Sequence, residues 1–226
     1  MLKHCVLMFV IDYLKQKEKP LWYVDTHAGA GAYDLNSIEA KKNAEFSGGI
    51  ELLFAQRAIL PPALQLYIDA IENFRARAPH GYPGSPWLAA HLLRAQDRLR
   101  LFEMHPQDFD ILQEIMVHDR RVAVAASDGF AGLKALLPPP SRRALVLIDP
   151  PYELKEDYAR VVAVLSDALR RFATGTYMVW YPLLPRVESA RLPERLATLN
   201  HNALRIELRI DEPRGDFGMY GSGMYV

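Results

Sequence analysis

Short apolar runs, typical of buried strands, alternate along this chain with segments whose hydrophobic residues recur at helical spacing. The pattern predicts strands at 21–24, 100–103, 121–124, 144–148, 176–181, 203–210 and 219–226. It predicts helices at 2–14, 49–57, 63–77, 87–96, 108–118, 130–137, 157–172 and 185–199. Because the two kinds of element alternate, we expect an α/β fold whose mostly parallel sheet has helices on both faces. The last two predicted strands have no helix between them, so we expect an antiparallel last strand.

The chain has 226 residues, enough for one sizeable domain, and residues from about 44 to 84 predict a small helical insertion on the sheet. Its 27 basic and 27 acidic residues cancel, which argues neither for nor against a nucleic-acid partner. Cys5 is the only cysteine, so a disulfide framework is excluded and we expect a cytoplasmic protein. The apolar runs are too short to span a bilayer.

Four successive predicted strands each end in a carboxylate, namely Asp25, Glu103, Asp128 and Asp149. Because the carboxyl ends of parallel strands share one edge of a sheet, we expect these side chains to lie together. Four carboxylates on one edge suit a ligand that is rich in N–H and O–H donors. Glu103 suits the two hydroxyls of a ribose, although an ordinary solvated strand end explains it equally well.

Asp128 and the adjacent Gly129 suit an adenine amino group and the edge of its ring, or else an ordinary turn. Asp25 runs into a glycine-rich turn in which Gly29 and Gly31 form a G-x-G pattern. The third glycine of a dinucleotide loop is missing, which disfavours a nicotinamide dehydrogenase. The loop instead favours S-adenosylmethionine, which has no phosphate but has an ammonium to satisfy. A plain strand-to-helix turn is the alternative.

The segment Asp149-Pro150-Pro151-Tyr152 directly follows the apolar run 144–148. Proline removes backbone donors and fixes φ, so the loop offers the Asp149 carboxylate and the Pro150 carbonyl to an exocyclic amino group. We expect Tyr152 to stack on the base, and Asp149 to accept the proton as the N–C bond forms. The base must then be flipped out or single-stranded. DNA adenine or a guanine amino group would suit the motif as well as adenine in RNA.

Nine segments carry a resemblance to a known family: Leu2-Lys3-His4, 23–31, 82–86, 103–106, 127–130, 141–143, 147–152, 171–175 and 180–182. In them the chain resembles the bacterial large-subunit ribosomal RNA adenine-N6 methyltransferase J family. The resemblance implies a Rossmann-type class I methyltransferase, a single domain over 1–226, with ribosomal RNA as its partner. It also implies that S-adenosylmethionine contacts His4, His27, Ser85, Glu103, Asp128, Gly129 and Asp149. Lys3 would lie beside the site, and Asp149 would be the proton acceptor.

The chain departs from the family pattern at both ends. An arm rich in Tyr, Arg, His, Gly and Asn is missing before Leu2, and an Asn-Pro-Pro stretch is missing after Val226. We therefore expect a chain that is shortened at both ends, and a non-catalytic RNA- or cofactor-binding module is the alternative to an enzyme. In either case we expect a monomer that uses no metal and binds no membrane.

Overall fold

The structure is a computed structural model that describes residues 1–35, 49–199, 202–212 and 218–226. Its strands are β1 (Trp22–Asp25), β2 (Ala32–Asp34), β3 (Gly81–Pro83), β4 (Arg98–Phe102), β5 (Val122–Ala125), β6 (Ala144–Ile148), β7 (Thr176–Leu183), β8 (Arg205–Arg209) and β9 (Gly221–Tyr225). Its α-helices are α1 (Leu2–Lys15), α2 (Ile50–Ala55), α3 (Pro62–Arg75), α4 (Ser85–Leu92), α5 (Pro106–Met116), α6 (Gly129–Leu136), α7 (Lys155–Arg171) and α8 (Val187–Ala197). None of the helices in these ranges is long and apolar enough to cross a membrane.

Seven strands form the main sheet, in the order β5-β4-β1-β6-β7-β9-β8. The neighbours from β5 through β7 pair parallel, whereas β9 is antiparallel to both β7 and β8. These pairings confirm the mostly parallel sheet with an antiparallel last strand. The chain runs outward from β1 to β4 and β5 and then returns to β6 on the other side of β1. Ligands of open α/β sheets bind beyond the carboxyl ends of the strands at such a reversal.

Helices cover both faces of the sheet, as predicted. All five residues of β6 are buried, and successive side chains of a strand point to opposite faces. Val146 and Ile148 accordingly pack into one core cluster with α6, α7 and α8. Leu145 and Leu147 pack into the other cluster, with α1, α4 and α5. An apolar strand that is buried on both sides is therefore what carries the Asp149 motif to the edge of the sheet.

The segment that the sequence predicts as a helical insertion is only partly helical. It contains α2, a 3₁₀ turn at Arg57–Ile59 and α3, but it ends in β3, which pairs antiparallel with β2. This two-stranded sheet was not predicted, because strands of three residues carry no detectable alternation of polar and apolar positions. Residues 44–48 of the predicted insertion lie outside the described residues.

Strand β7 continues beyond the point where the sequence predicts its end. The sequence predicts its end at residue 181, yet the strand runs on to Leu183, with Pro182 opposite Ser222 of β9. The pairing with β6 stops at Val179, so the last part of β7 has a neighbour on one side only. A proline is tolerated at such a position because it has no N–H, and on this open side there is no neighbouring strand among the described residues to which an N–H would donate.

Candidate active site

The four predicted carboxylates lie at one edge of the sheet. Asp25 is the last residue of β1 and stands in register with Leu101 of β4 and Leu147 of β6. Glu103 and Asp149 directly follow β4 and β6, and Asp128 follows β5. The carboxyl ends of four neighbouring parallel strands therefore bring together the side chains that the sequence singled out.

A cleft of about 470 Å³ opens at this edge. Its walls combine apolar side chains with a few polar ones, which is the composition expected for a small-molecule site. Five of the predicted site residues line it: His27, Glu103, Asp128, Gly129 and Pro150. The other lining residues are Thr26, Phe102, Met104, His105, Pro106, Pro151, Glu153, Leu154, Asp157 and Arg160.

The Glu103 carboxylate is held by the backbone. The amide of Gly29 donates to its Oε2 at 2.8 Å, and the amide of His105 donates to its Oε1 at 2.7 Å. Gly29 has a φ of 62° and lies against the Tyr33 hydroxyl, so a side chain there would be strained and would collide with it. The glycine turn therefore fixes the carboxylate of Glu103, which lines the cleft.

The Asp128 carboxylate has two partners in the structure. Its Oδ1 accepts a hydrogen bond from the amide of Phe130 at 2.9 Å and so caps α6. Its Oδ2 pairs with the guanidinium of Arg160 at 2.9 Å, and that guanidinium lies 4.8 Å from the centre of the Phe130 ring. Arg160 lies on α7, remote in sequence, and no signal in the sequence marked it. An adenine amino group at Asp128 would share the carboxylate with Arg160.

Asp25 is a fully buried carboxylate, with no exposed surface. Tyr23 and Ser85 both donate their hydroxyls to its Oδ2 at 2.7 Å, and the His27 amide donates to its Oδ1 at 3.3 Å. Burial raises the pKa of Asp25, although the hydrogen bonds from Tyr23 and Ser85 oppose this effect. Tyr23 was missed in the sequence, and the signal was available: positions 23 and 25 of a strand share one face.

Asp149 is paired with Lys3. The N-terminal turn of α1 reaches the same edge of the sheet, and the Lys3 ammonium forms a short ion pair with Oδ2 of Asp149. Burial disfavours the charge on this ammonium, but attraction to the carboxylate outweighs burial and raises the pKa of Lys3. Lys3 therefore occupies the acceptor that was predicted to receive an amino group, and an incoming amine must compete with it.

The structure contradicts the predicted stacking role of Tyr152. Its backbone adopts a φ of 55°, the left-handed region, which turns the side chain into the core. Only 2% of Tyr152 is exposed, its hydroxyl donates to the Trp180 carbonyl at 2.6 Å, and its ring packs 4.8 Å from that of Tyr158. Tyr152 thus anchors the loop that follows Asp149 instead of offering a face to a base.

His4 lies beside this site but does not line the cleft. Its Nδ1 is 3.1 Å from the Tyr82 hydroxyl, and burial lowers its pKa well below the ordinary histidine value. The predicted residues therefore divide into two adjoining groups. One group lines the nucleoside-sized cleft, and the other surrounds the buried Asp25 and the Lys3–Asp149 pair. Among the residues that the structure describes, no group of three or more His, Cys, Asp or Glu side chains is placed to hold a metal ion.

Solved structures share this architecture. The protein LPL1258 from Legionella pneumophila is 37% identical, with a TM-score of 0.91 over 99% of this chain and 82% of that one. The methyltransferase domain of METTL16 is only 12% identical, with a TM-score of 0.53 over 97% of this chain and 64% of that one. This distant likeness shows the fold alone, which is Rossmann-like.

Sequence comparisons give the family. Residues 18–226 match the family described as "RsmJ: Ribosomal RNA large subunit methyltransferase D, RlmJ". Two proteins named "Ribosomal RNA large subunit methyltransferase J", from Haemophilus influenzae and Escherichia coli, are each 45% identical across 100% of this chain. The chain spans 81% of the length of each. With a fold and an acidic edge that agree with these matches, the chain belongs to the ribosomal RNA large subunit methyltransferase J (RlmJ) family.

Proposed function

We propose that this protein is a single-domain methyltransferase that uses S-adenosylmethionine to methylate the exocyclic N6 amino group of an adenine in large-subunit ribosomal RNA. The observation that carries the proposal is the position of Asp149. It follows the central strand β6, one strand away from Asp25, and Pro150 beside it lines the nucleoside-sized cleft. The two relatives at 45% identity, both named as large-subunit ribosomal RNA methyltransferases, support the substrate class.

The residues present fit S-adenosylmethionine. Glu103 is oriented for ribose hydroxyls, while Asp128 and the backbone at Gly129 border the same cleft and suit an adenine ring. Asp25 and Ser85 are hydrogen-bonded to each other, and the buried charge of Asp25 would attract the ammonium of the methionine part. When it is bound, this cofactor supplies an electrophilic methyl group on a sulfonium.

The chain's own contribution is to hold the amine and to take its proton. The Asp149 carboxylate and the Pro150 carbonyl accept hydrogen bonds from the adenine N6 amino group, which points the nitrogen lone pair at the methyl carbon. As the N–C bond forms and the C–S bond breaks, Asp149 accepts the proton that leaves the nitrogen. Lys3 releases the carboxylate as the amine arrives, so its ion pair marks where the amine binds.

The adenine must be single-stranded or flipped out to reach this edge of the sheet. The amino group of a paired base is engaged in the duplex and cannot reach Asp149. We place the protein in the cytoplasm, where ribosomal RNA is found and where a chain with one cysteine is stable without disulfides. We further propose that it acts as a monomer and needs no metal.

The test is transfer of labelled methyl groups to deproteinised large-subunit RNA. We expect transfer by the unaltered chain and loss of at least about a hundredfold in Asp149→Asn, which keeps the shape but removes the base. The matched control is Asp110→Asn, an exposed carboxylate on α5, which we expect to stay active. Full activity in Asp149→Asn would refute the assigned role.

The same assay separates the alternatives. Mapping the modified base in RNA and in competing DNA oligonucleotides distinguishes adenine N6 from a guanine amino group and RNA from DNA. If S-adenosylmethionine raises the melting temperature but no nucleic acid is methylated, the chain is a binding module and the proposal is wrong.

A further inference from the structure

Two buried side chains, Tyr67 and His4, are joined by the half-buried Tyr82 in a hydrogen-bonded line. Tyr67 of α3 lies with its hydroxyl 2.5 Å from the hydroxyl of Tyr82 on β3, and that hydroxyl lies 3.1 Å from Nδ1 of His4 on α1. Tyr67 has no exposed surface, and His4 is 7% exposed. The line joins the insertion to the helix that carries Lys3, and the assignment of site residues leaves both tyrosines without a role.

The direction of the hydrogen bonds follows from the buried end. Within the described residues, Tyr82 is the only hydrogen-bond partner of the Tyr67 hydroxyl, and Tyr67 has no exposed surface. Because an unsatisfied buried donor is costly, Tyr67 donates to Tyr82. Tyr82 then donates its own proton onward to Nδ1 of His4, which must be the unprotonated nitrogen of the ring.

A histidine that accepts at Nδ1 carries its proton on Nε2 when it is neutral. Burial and the adjacent Lys3 ammonium keep the pKa of His4 low, which agrees with a neutral ring. The line of hydroxyls therefore prepares His4 as a donor at Nε2. It does so without placing a second positive charge next to Lys3.

The chemistry of the cofactor indicates which group this donor meets. Ribose hydroxyls, the adenine amino group and the methionine ammonium are donors, and the site offers them the carboxylates Glu103, Asp128 and Asp25. The methionine carboxylate is the one charged group that needs donors instead. His4 lies outside the nucleoside cleft, on the Lys3 and Ser85 side of the site, where that end of the cofactor belongs.

We propose that Tyr67 and Tyr82 are positioning residues that fix the Nε2-protonated form of His4 for the carboxylate of S-adenosylmethionine. This inference rests on the proposed function, since it names how that same site holds its cofactor. The insertion thereby contributes to cofactor binding through the hydrogen-bonded hydroxyls of Tyr67 and Tyr82.

The test compares two ligands on the full chain by calorimetry. S-adenosylhomocysteine carries the amino-acid carboxylate, whereas 5′-methylthioadenosine has the same nucleoside without it. We expect Tyr82→Phe to weaken S-adenosylhomocysteine binding about tenfold, the value of one hydrogen bond to a charged group, and to leave methylthioadenosine unchanged. Tyr67→Phe should show the same selectivity with a smaller loss.

Tyr177→Phe is the matched control, because its buried hydroxyl donates to the carbonyls of Ala168 and Phe172 at the far end of α7. It should change neither affinity. Equal losses for both ligands in Tyr82→Phe, or no loss for either, would overturn the inference. Failure of the unaltered chain to bind either ligand would instead count against the proposed function.

A second measurement does not depend on the variants folding. The ¹⁵N spectrum of His4 reports directly which ring nitrogen carries the proton. We expect an unprotonated Nδ1 in the unaltered protein, and a protonated Nδ1 would overturn the inference.

Discussion

Gly129 is the first residue of α6, and replacing it with alanine tests how tightly the adenine end of the site is built. The Cβ of an alanine would lie 2.6 Å from the Thr26 Cα and closer still to the Thr26 carbonyl oxygen, whereas ordinary contact begins at 3.4 Å. Both neighbours are backbone atoms at the end of β1, so no side chain can rotate away. The N-terminus of α6 must retreat, and Asp128, which caps it, must move as well.

The cost follows from overpacking of a close backbone contact, about 1–3 kcal/mol. In a domain of this size, each kcal/mol lowers the melting temperature by about 2–4 °C, so we expect a fall of roughly 2–12 °C. The displaced Asp128 should also weaken S-adenosylhomocysteine binding at least about tenfold, as expected for the loss of one well-placed charge-assisted hydrogen bond. Thermal melting and calorimetry on the same preparation measure the two effects.

Ala131→Gly is the matched control, since Ala131 is exposed on the same helix. Glycine there should destabilise α6 by about 1 kcal/mol through helix propensity alone and leave ligand affinity unchanged at temperatures below melting. If Gly129→Ala has the melting temperature and the ligand affinity of the unaltered protein, the close contact between α6 and the end of β1 is refuted. If both variants lose affinity equally, general loosening of the helix is the cause, and the reasoning about Asp128 fails.

Other predictions concern buried polar groups. Tyr152→Phe should cost about 1 kcal/mol in urea unfolding because it removes the hydrogen bond to the Trp180 carbonyl. Tyr158→Phe should cost nothing, since the Tyr158 hydroxyl has no hydrogen-bond partner among the described residues, and equal losses in the two variants would contradict this. Burial raises the pKa of Cys5 to about 11, so the thiol of the folded protein should resist alkylation at pH 8. It should react once urea unfolds the chain, and rapid labelling of the folded protein would contradict this prediction. Burial opposes ionisation of Asp97, but hydrogen bonds from Arg94 and the Leu21 amide outweigh it and hold its pKa below the ordinary value. Asp97→Asn should therefore lower unfolding free energy at neutral pH, and the difference should shrink as pH falls through the native pKa; a difference independent of pH would refute it.

The main sheet could be predicted because its strands carry their own signals. A run such as β6 is apolar on both faces and is bounded by charged residues and prolines, so its place at the centre of a parallel sheet follows from the sequence. The clustering of the four acidic residues could also be predicted, because neighbouring parallel strands have their carboxyl ends at the same edge of the sheet. By the same reasoning, the antiparallel pairing of β8 and β9 could be anticipated from the missing helix between them.

Other features depend on contacts that the sequence does not display. The pair β2 and β3 joins a segment before the insertion to the end of the insertion, and neither strand is long enough to show a period. The inward turn of Tyr152 depends on a single backbone angle. Arg160 reaches Asp128, and Tyr67 reaches His4 through Tyr82, only once the chain has folded. Long-range side-chain pairs of this kind leave no local pattern.

The position of β9 has a consequence for how the chain is assembled during synthesis. β9 is the last described strand, yet it lies between β7 and β8, and β8 has no other neighbour in the sheet. Until residues 221–225 emerge from the ribosome, β8 lacks its partner among the described strands, and the β7 edge that β9 later covers is open. Such an open edge invites pairing with other chains, so this part of the sheet is protected from aggregation only when β9 is inserted.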